Sequence, residues 1–312
     1  MRIGVIGAGA LGLFYGAMLQ RAGHDVRFLL RSDFEAINAR GLKVFSIDGD
    51  FELPTIKGYR TSAEIGPVDL VLIGLKTFAN QQLIELVRPL VGRETAILTL
   101  QNGVGNEDLL AAAFGEDKVL GGVAFLCSNR GEPGEVHHLG EGRIHLGEWT
   151  NQPSIRSQQL AAHFKAAGVA CETSDDLIRT RWEKLVWNIP FNGLCALTGK
   201  TVTELLQHPP TRQLIASMMH EVIRAANQQG LKIAIEAEPF VEHMLAFSDP
   251  MTGYRPSMMI DRLEGRQLEL EAIYAIPLQR ALTAGTQMPQ VDMLYRLLSV
   301  GEQFQSPRLR TP

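Results

Sequence analysis

Three glycines near the start of the chain have a spacing that suits the binding of phosphate groups. Gly7, Gly9 and Gly12 come directly after an apolar run, residues 2–6, and directly before a helical pattern of apolar residues. In a strand–turn–helix unit such glycines permit a tight turn, let a diphosphate approach the backbone, and let the helix pack closely. We therefore predict a dinucleotide at the start of this helix; the alternative is a glycine-rich turn in another α/β fold. The predicted contacts are Gly7, Ala8, Gly9, Ala10, Leu11 and Gly12.

The end of the next predicted strand indicates which dinucleotide binds. NAD-selective sites place a carboxylate about twenty residues past the glycines, where it accepts from the ribose 2′-hydroxyl. This sequence has Arg31 and Ser32 at that point, and a guanidinium is a good donor to phosphate oxygens. We expect NADPH, with Arg31 beside its 2′-phosphate. Two alternatives stay open, because Arg31 could be only a solvated charge and Asp33 could reach a ribose.

A second set of polar residues lies on a helix predicted from Asp175 to about Leu197. Lys184, Asn188 and Asn192 are spaced four residues apart, so they share one face of that helix. Most residues around them are apolar, which is typical of a buried helix. A buried lysine needs a partner, and this face supplies amides but no carboxylate. The alternative is a lysine that reaches solvent beside two interhelical amides.

Residues 257–271 combine hydroxyl, carboxylate and guanidinium groups. Pro256 and Ser257 are suited to begin a short helix, and Gly265 interrupts it. Glu269 and Glu271 cannot share a face. We expect one of the two carboxylates to point inward and the other to be solvated, and the spacing alone does not choose between them.

The elements that must position these residues alternate in the first half of the chain. Predicted strands are 25–30, 68–75, 95–100, 119–127, 142–149 and 168–173, with helices between several of them. This alternation is typical of a doubly wound parallel sheet. Lys76 and Asn102 follow two of the strands, at the edge where such sheets bind ligands.

From Asp175 onward the apolar periodicity is almost only helical. The predicted fold is an α/β Rossmann-type doubly wound sheet over residues 1–174, followed by an all-α C-terminal domain over residues 175–312. A frayed tail is expected from Gln303.

Composition excludes several classes of protein. The 312 residues are 45% hydrophobic and 21% charged, as in soluble globular proteins of about two domains. A net charge of −4 gives no reason to expect nucleic acid or a membrane as partner, and no apolar run approaches the roughly 18 residues of a membrane span. The three cysteines form no C-x-x-C pair, so we expect no metal site, no disulfide framework and a cytoplasmic location.

Taken together, these motifs resemble those of the ketopantoate reductase family over nearly the whole chain. The likeness rests on the glycine turn, Leu75-Lys76, Leu100-Gln101-Asn102-Gly103, the Lys184, Asn188 and Asn192 face, and Ser257-Met258 with Asp261, Gly265-Arg266 and Glu269. It implies a Rossmann domain and a helical domain, with the active site in a cleft between them. It also implies the reduction of 2-dehydropantoate to (R)-pantoate by NADPH, in the pathway to pantothenate and coenzyme A.

The resemblance assigns a role to each matching residue. Hydride delivery to a 2-oxo carbon leaves negative charge on its oxygen, which requires a nearby proton donor or cation. The resemblance implies Lys184 as that general acid and Glu269 as the carboxylate that positions it. The implied substrate contacts are Asn102, Lys184, Asn188, Asn192, Ser257 and Glu269, and the implied cofactor contacts include Arg31, Lys76 and Asn102. The implied partners are a small 2-oxo acid and a second copy of the chain, held through the helical domain.

Two features differ from the family pattern. Pro190 lies between the two asparagines, removes the usual donor to the Val186 carbonyl, and predicts a bent helix with a shifted Asn192. Tyr254-Arg255-Pro256 precedes Ser257 where an asparagine and a small residue are expected among the substrate contacts. The alternative functions are therefore a reductase of another branched 2-oxo acid and a non-catalytic NADPH sensor. A sensor has no need of a proton donor, so the presence of both Lys184 and Glu269 favours an enzyme.

Overall fold

The computed structural model describes residues 1–303, and the rest of the predicted tail lies outside the described residues. The chain divides into two compact units. The first contains Met1–Asn102 and Asn106–Leu177; the second contains Gly103–Gly105 and the chain from Ile178 onward.

The first unit is built on a mixed sheet. Its strands are β1 (Arg2–Ile6), β2 (Asp25–Leu29), β3 (Leu42–Ser46), β4 (Phe51–Leu53), β5 (Lys57–Tyr59), β6 (Val68–Ile73), β7 (Val91–Thr99), β8 (Val119–Arg130), β9 (Glu135–Glu148) and β10 (Cys171–Thr173). The order is β4-β3-β9-β8-β7-β6-β1-β2-β5, with β10 paired to β9. The central pairs from β2 through β1, β6 and β7 to β8 are parallel. The predicted Rossmann-type sheet is confirmed.

Helices cover both faces of this sheet. They are α1 (Ala10–Arg21), α2 (Phe34–Arg40), α3 (Ser62–Ile65), α4 (Asn80–Val87), α5 (Asn106–Phe114) and α6 (Ile155–Ala166). Alternate residues of β6 enter two different cores. Leu70 and Leu72 lie in the core that includes α1 and α6, whereas Val71 and Ile73 lie in the core that includes α4 and α5. Burial on both faces explains the nearly continuous apolar sequence of this strand.

The part of the sheet formed by β8 and β9 is longer than the sequence predicts. The two strands form a long antiparallel hairpin, and β9 begins at Glu135 instead of Gly142. Residues 135–141 include two histidines, two glutamates and a glycine, so they lack the apolar pattern of a strand. Their pairing with β3 and β8 supplies the order that the local sequence does not.

The second unit is helical, as predicted. Its elements are α7 (Leu177–Thr198), α8 (Val202–Gln207), α9 (Pro209–Ala226), α10 (Ala237–Ser248), α11 (Ser257–Leu263), a π-helical turn (Glu271–Ala275), α12 (Ile276–Thr283) and α13 (Pro289–Gln303). Helix α7 continues through Pro190. The Glu221 carboxylate of α9 accepts from the N–H groups of Gln290 and Val291 at the start of α13. A negative charge at a helix N-terminus is stabilising, so this contact joins two long helices of the core.

Within residues 1–303, no helix is both long and apolar enough to cross a membrane. The same residues contain no group of histidine, cysteine and acidic side chains suited to a metal ion. Cys127, Cys171 and Cys195, all within the described residues, form no disulfide bond.

Candidate functional site

The glycine turn is enforced by close backbone contacts. Gly7 has a φ of +99°, and a Cβ there would lie 2.4 Å from the Leu75 backbone nitrogen. A Cβ on Gly12 would lie 2.1 Å from the Gly7 carbonyl oxygen. Neither position can carry a side chain without moving the backbone, so the two glycines define the shape of the turn.

Gly9 differs because open space surrounds it. It is the N-cap of α1, with no side-chain hydrogen bond at the cap and no acidic residue in the first turn. No atom lies within 4 Å of a Cβ built on Gly9. The first N–H groups of a helix lack intrahelical partners and attract anions. This open helix end, with its partial positive charge, fits the diphosphate of a dinucleotide.

Arg31 and Ser32 lie just past β2, and both are exposed. Asp33 is only 3% exposed. Its carboxylate forms an ion pair with Arg130 and accepts from the Gly134 N–H at 3.3 Å and the Ser32 hydroxyl at 2.9 Å. The buried carboxylate is thus engaged within the protein, while the guanidinium of Arg31 faces solvent.

Lys76 follows β6 on a segment that lies beside the glycine turn. The Gly74 N–H donates to the Ile6 carbonyl at 2.9 Å, and a Cβ on Gly74 would lie 3.1 Å from the Gly12 nitrogen. Lys76 itself is half-buried. The first unit therefore brings the ends of β1 and β6 together at the predicted dinucleotide site.

A chain of amides positions the backbone of Asn102 after β7. The Thr99 hydroxyl donates to Gln101 Oε1, Gln101 Nε2 donates to Asn80 Oδ1, and Asn80 Nδ2 donates to Asn106 Oδ1. Asn106 Nδ2 then donates to the Asn102 carbonyl at 3.0 Å. This network was not predicted; the sequence signal for it is the set of polar side chains that flank the end of an apolar strand. These hydrogen bonds therefore hold the backbone of the half-buried Asn102 in place.

In the second unit, the three polar residues of α7 differ in burial. Lys184 is half-buried, whereas Asn188 and Asn192 are 6% and 2% exposed. Asn192 Oδ1 accepts from the Met258 N–H at 3.3 Å. Met258 is in the first turn of α11, so Asn192 caps that helix and ties the exposed Ser257 to α7. This capping contact was not predicted.

The two glutamates that the sequence could not separate have different environments. Glu269 is 4% exposed and Glu271 is exposed. The turn before them is braced by Asp261, whose carboxylate accepts from Arg266 Nε at 2.8 Å. Glu269 is therefore the inward-facing carboxylate of the pair.

Tyr254 packs against α7. Its ring lies 6.0 Å from that of Trp187, edge to face, and the Trp187 Nε1–H donates to the Ser248 hydroxyl at 2.9 Å. The unexpected tyrosine before Ser257 thus stabilises the contact between its loop and α7.

A separate cavity of about 420 Å³ lies in the first unit, beside the second half of α1. Its lining includes Met18, Arg21, His138 and Arg143, and contains none of the predicted site residues. It is therefore not the dinucleotide site.

Family models of known proteins match both parts of the chain. The family model "Ketopantoate reductase PanE/ApbA" matches residues 3–151, and "Ketopantoate reductase PanE/ApbA C terminal" matches residues 176–302. The chain is 42% identical to a 2-dehydropantoate 2-reductase of Nostoc sp. over 94% of its length and 93% of the relative's.

Two solved structures are also similar. The crystal structure of 2-dehydropantoate 2-reductase from Geobacter metallireducens has a TM-score of 0.95 and 59% identity, covering 96% of this chain and 100% of that one. The enzyme from Methylococcus capsulatus has a TM-score of 0.90 and 31% identity, with 100% of each chain covered. The chain described here belongs to the ketopantoate reductase family, as its motifs predict.

Proposed function

We propose that this protein reduces 2-dehydropantoate to (R)-pantoate with NADPH, in the synthesis of pantothenate. The proposal rests on the face of α7 that presents Lys184, Asn188 and Asn192, in a chain that belongs to the ketopantoate reductase family. Relatives that match over almost their whole length are named 2-dehydropantoate 2-reductase.

NADPH is the proposed cofactor, and when bound it supplies a hydride. The glycine turn would hold its diphosphate, with Lys76 and Asn102 at the adjoining strand ends. Arg31 and Ser32 are exposed where a 2′-phosphate is expected. Asp33, the one nearby carboxylate that we considered for a ribose, is engaged by Arg130 and Gly134. These contacts favour a phosphate over a free 2′-hydroxyl at this position.

Lys184 is the proposed general acid. Its ammonium would donate a proton to the oxygen on C2 of the substrate as negative charge develops there. Glu269, a buried carboxylate side chain, would hold the ammonium in position. Asn188, Asn192 and Ser257 would bind the polar groups and carboxylate of the substrate.

We also propose that the two parts of the chain have different roles. Residues 1–174 would bind the cofactor, and residues 175–312 would bind the substrate and form a homodimer. Cys171 and Cys195 are buried free thiols, which fits a reducing compartment, so the proposed location is the cytoplasm. Light scattering on the purified protein would measure the dimer directly.

The decisive experiment is NADPH oxidation with a panel of 2-oxo acids, repeated with NADH. We expect 2-dehydropantoate to give the highest kcat/KM, and NADPH to be preferred. A higher kcat/KM with another branched 2-oxo acid would replace the substrate and keep the chemistry. Tight NADPH binding without reduction of any acid would favour the sensor.

A further inference from the structure

The π-helical turn Glu271–Ala275 begins two residues after Glu269. Single π-helical turns are uncommon in proteins, and those that occur are often found at functional sites. Two of its buried residues, Ala272 and Tyr274, contact two other segments of the second unit. The turn can therefore hold several parts of the candidate site in a fixed relation.

The Tyr274 hydroxyl lies against the backbone of α7. It donates to the Ile189 carbonyl at 2.8 Å, and the backbone of Gly193 lies beside the phenol oxygen. These two backbone groups are i and i+4 partners in a helix, so one hydroxyl contacts both ends of the same helical step. The segment from Ile189 to Gly193 overlaps the segment from Asn188 to Asn192.

Helix α7 has a particular need for this contact. Pro190 has no N–H, which removes the hydrogen bond to the Val186 carbonyl, three residues before Ile189. Gly193 is disfavoured in a helix interior, yet a Cβ there would lie 2.4 Å from the Tyr274 hydroxyl oxygen. The glycine is explained by the close approach of the tyrosine and of Leu294, whose Cδ2 would lie 2.6 Å from the same Cβ. Burial raises the pKa of Tyr274 well above its ordinary value, so the hydroxyl remains a donor.

The same π turn also holds the segment that follows Asn102. The Ala272 carbonyl accepts from the Val104 N–H at 3.1 Å. Gly103 has a φ of +81°, and a Cβ on it would lie 2.3 Å from that carbonyl oxygen. Gly103 and Val104 belong to the second unit by their contacts.

We propose that Tyr274 is a positioning residue for this site. Through its hydroxyl, the π turn that follows Glu269 is fixed to α7 between Asn188 and Asn192, and thus sets the carboxylate and the two amides relative to Lys184. Tyr274 is fully buried and acts through these groups without touching the substrate. The inference rests on the proposed function for the roles of those residues.

The test compares Tyr274→Phe, which keeps the ring and removes the hydroxyl, with Tyr295→Phe. Tyr295 stacks on Tyr274 with ring centres 6.4 Å apart, so it is a matched control in the same core. We expect Tyr274→Phe to lower kcat/KM for the 2-oxo acid by about 10- to 100-fold, since small displacements of reacting groups have large effects on rate. The dissociation constant of NADPH should change by less than about twofold, and Tyr295→Phe should match the wild type.

Amide hydrogen exchange supplies a readout that does not depend on the substrate. In Tyr274→Phe, exchange should accelerate in residues 186–196 and stay unchanged in α9. If the wild type reduces a different 2-oxo acid, the proposed substrate fails, and the variants are compared with that acid instead. Kinetics and exchange in Tyr274→Phe that equal those of Tyr295→Phe would overturn the positioning role.

A second variant approaches the same contact from the helix. Gly193→Ala should impair kcat/KM because its methyl group meets the Tyr274 hydroxyl. Adding Tyr274→Phe removes that oxygen, so the double variant should lose less than the product of the two single losses. Strictly multiplicative losses would show that the hydroxyl and Gly193 act independently, contrary to the proposal.

Discussion

The two units prepare their sites in different ways. In the first unit, the glycine turn offers backbone N–H groups, and the glycines that permit its shape lie within six consecutive residues, 7–12. In the second unit, the site is a set of side chains on α7 whose positions depend on distant partners. The Asn192 side chain accepts a hydrogen bond from a residue 66 positions away. The residues of the Tyr274–Ile189 contact are 85 positions apart. A backbone site is therefore specified locally, whereas a side-chain site is specified by the tertiary fold.

The largest effect should come from the side-chain site. We expect Lys184→Ala to lower kcat by about 10²- to 10⁴-fold, because it removes the proton donor. The dissociation constant of NADPH, measured by fluorescence titration, should barely change, since the proposed contacts of its diphosphate lie in the other unit. Lys165→Ala, an exposed lysine of α6, is the control. A turnover rate that survives the loss of Lys184 would remove it as the acid.

The backbone site should respond to two glycine substitutions in different ways. Gly12→Ala forces its Cβ against the Gly7 carbonyl, so it should weaken NADPH binding and also reduce the unfolding free energy by roughly 1–3 kcal/mol. Gly9→Ala meets no protein atom, so it should leave the melting temperature unchanged and weaken NADPH at least about tenfold, because the methyl group occupies the space of the diphosphate. Normal NADPH affinity in Gly9→Ala would place the diphosphate elsewhere.

A smaller effect should come from Arg31, the proposed contact to the 2′-phosphate of the cofactor. Arg31→Ala removes a charged donor to phosphate, so we expect NADPH to bind about 10- to 100-fold more weakly. NADH affinity should stay the same. Arg93, which is 95% exposed on β7, provides the control substitution. Equal losses for both dinucleotides would mean that Arg31 does not recognise the 2′-phosphate.

The smallest effect should come from a side-chain contact that is local in sequence. At the start of α8, Glu204 and Thr201 form a capping box, and the hydrogen bond from the Thr201 backbone, helped by Lys200, lowers the pKa of Glu204 to about 2. A carboxyl group with a lowered pKa stabilises the fold above its unfolded pKa, and this stabilisation is lost as the pH falls through the folded pKa. Glu204→Gln should therefore lower the melting temperature slightly at pH 7. The difference from wild type should shrink between about pH 4.5 and pH 2; a constant difference would contradict the lowered pKa.

The same contrast explains what could be predicted from the sequence. The strand–turn–helix of residues 2–21 and the buried run of β6 carry their structure in local patterns, and both lie where they are expected. Strand β5, with only three residues and a central glycine, has no such pattern and was missed. Its order comes from pairing with β2.

The candidate site divides in the same way. Spacing placed Lys184, Asn188 and Asn192 on one helix, and the structure has all three on α7. It could not choose between Glu269 and Glu271, because burial depends on what packs against them. Nor could it find the amides that support Asn102, since Asn80 and Gln101 are 21 positions apart. These features exist only once the chain is folded.

The proposed reaction requires the ammonium of Lys184 on α7 to deliver the proton to the substrate. A crystal structure of the protein with NADP⁺ and pantoate bound would test this requirement. We expect Lys184 Nζ within about 2.6–3.2 Å of the oxygen on C2 of pantoate, with the Glu269 carboxylate beside it. A Lys184 Nζ directed into bulk water, or a pantoate bound far from α7, would contradict it.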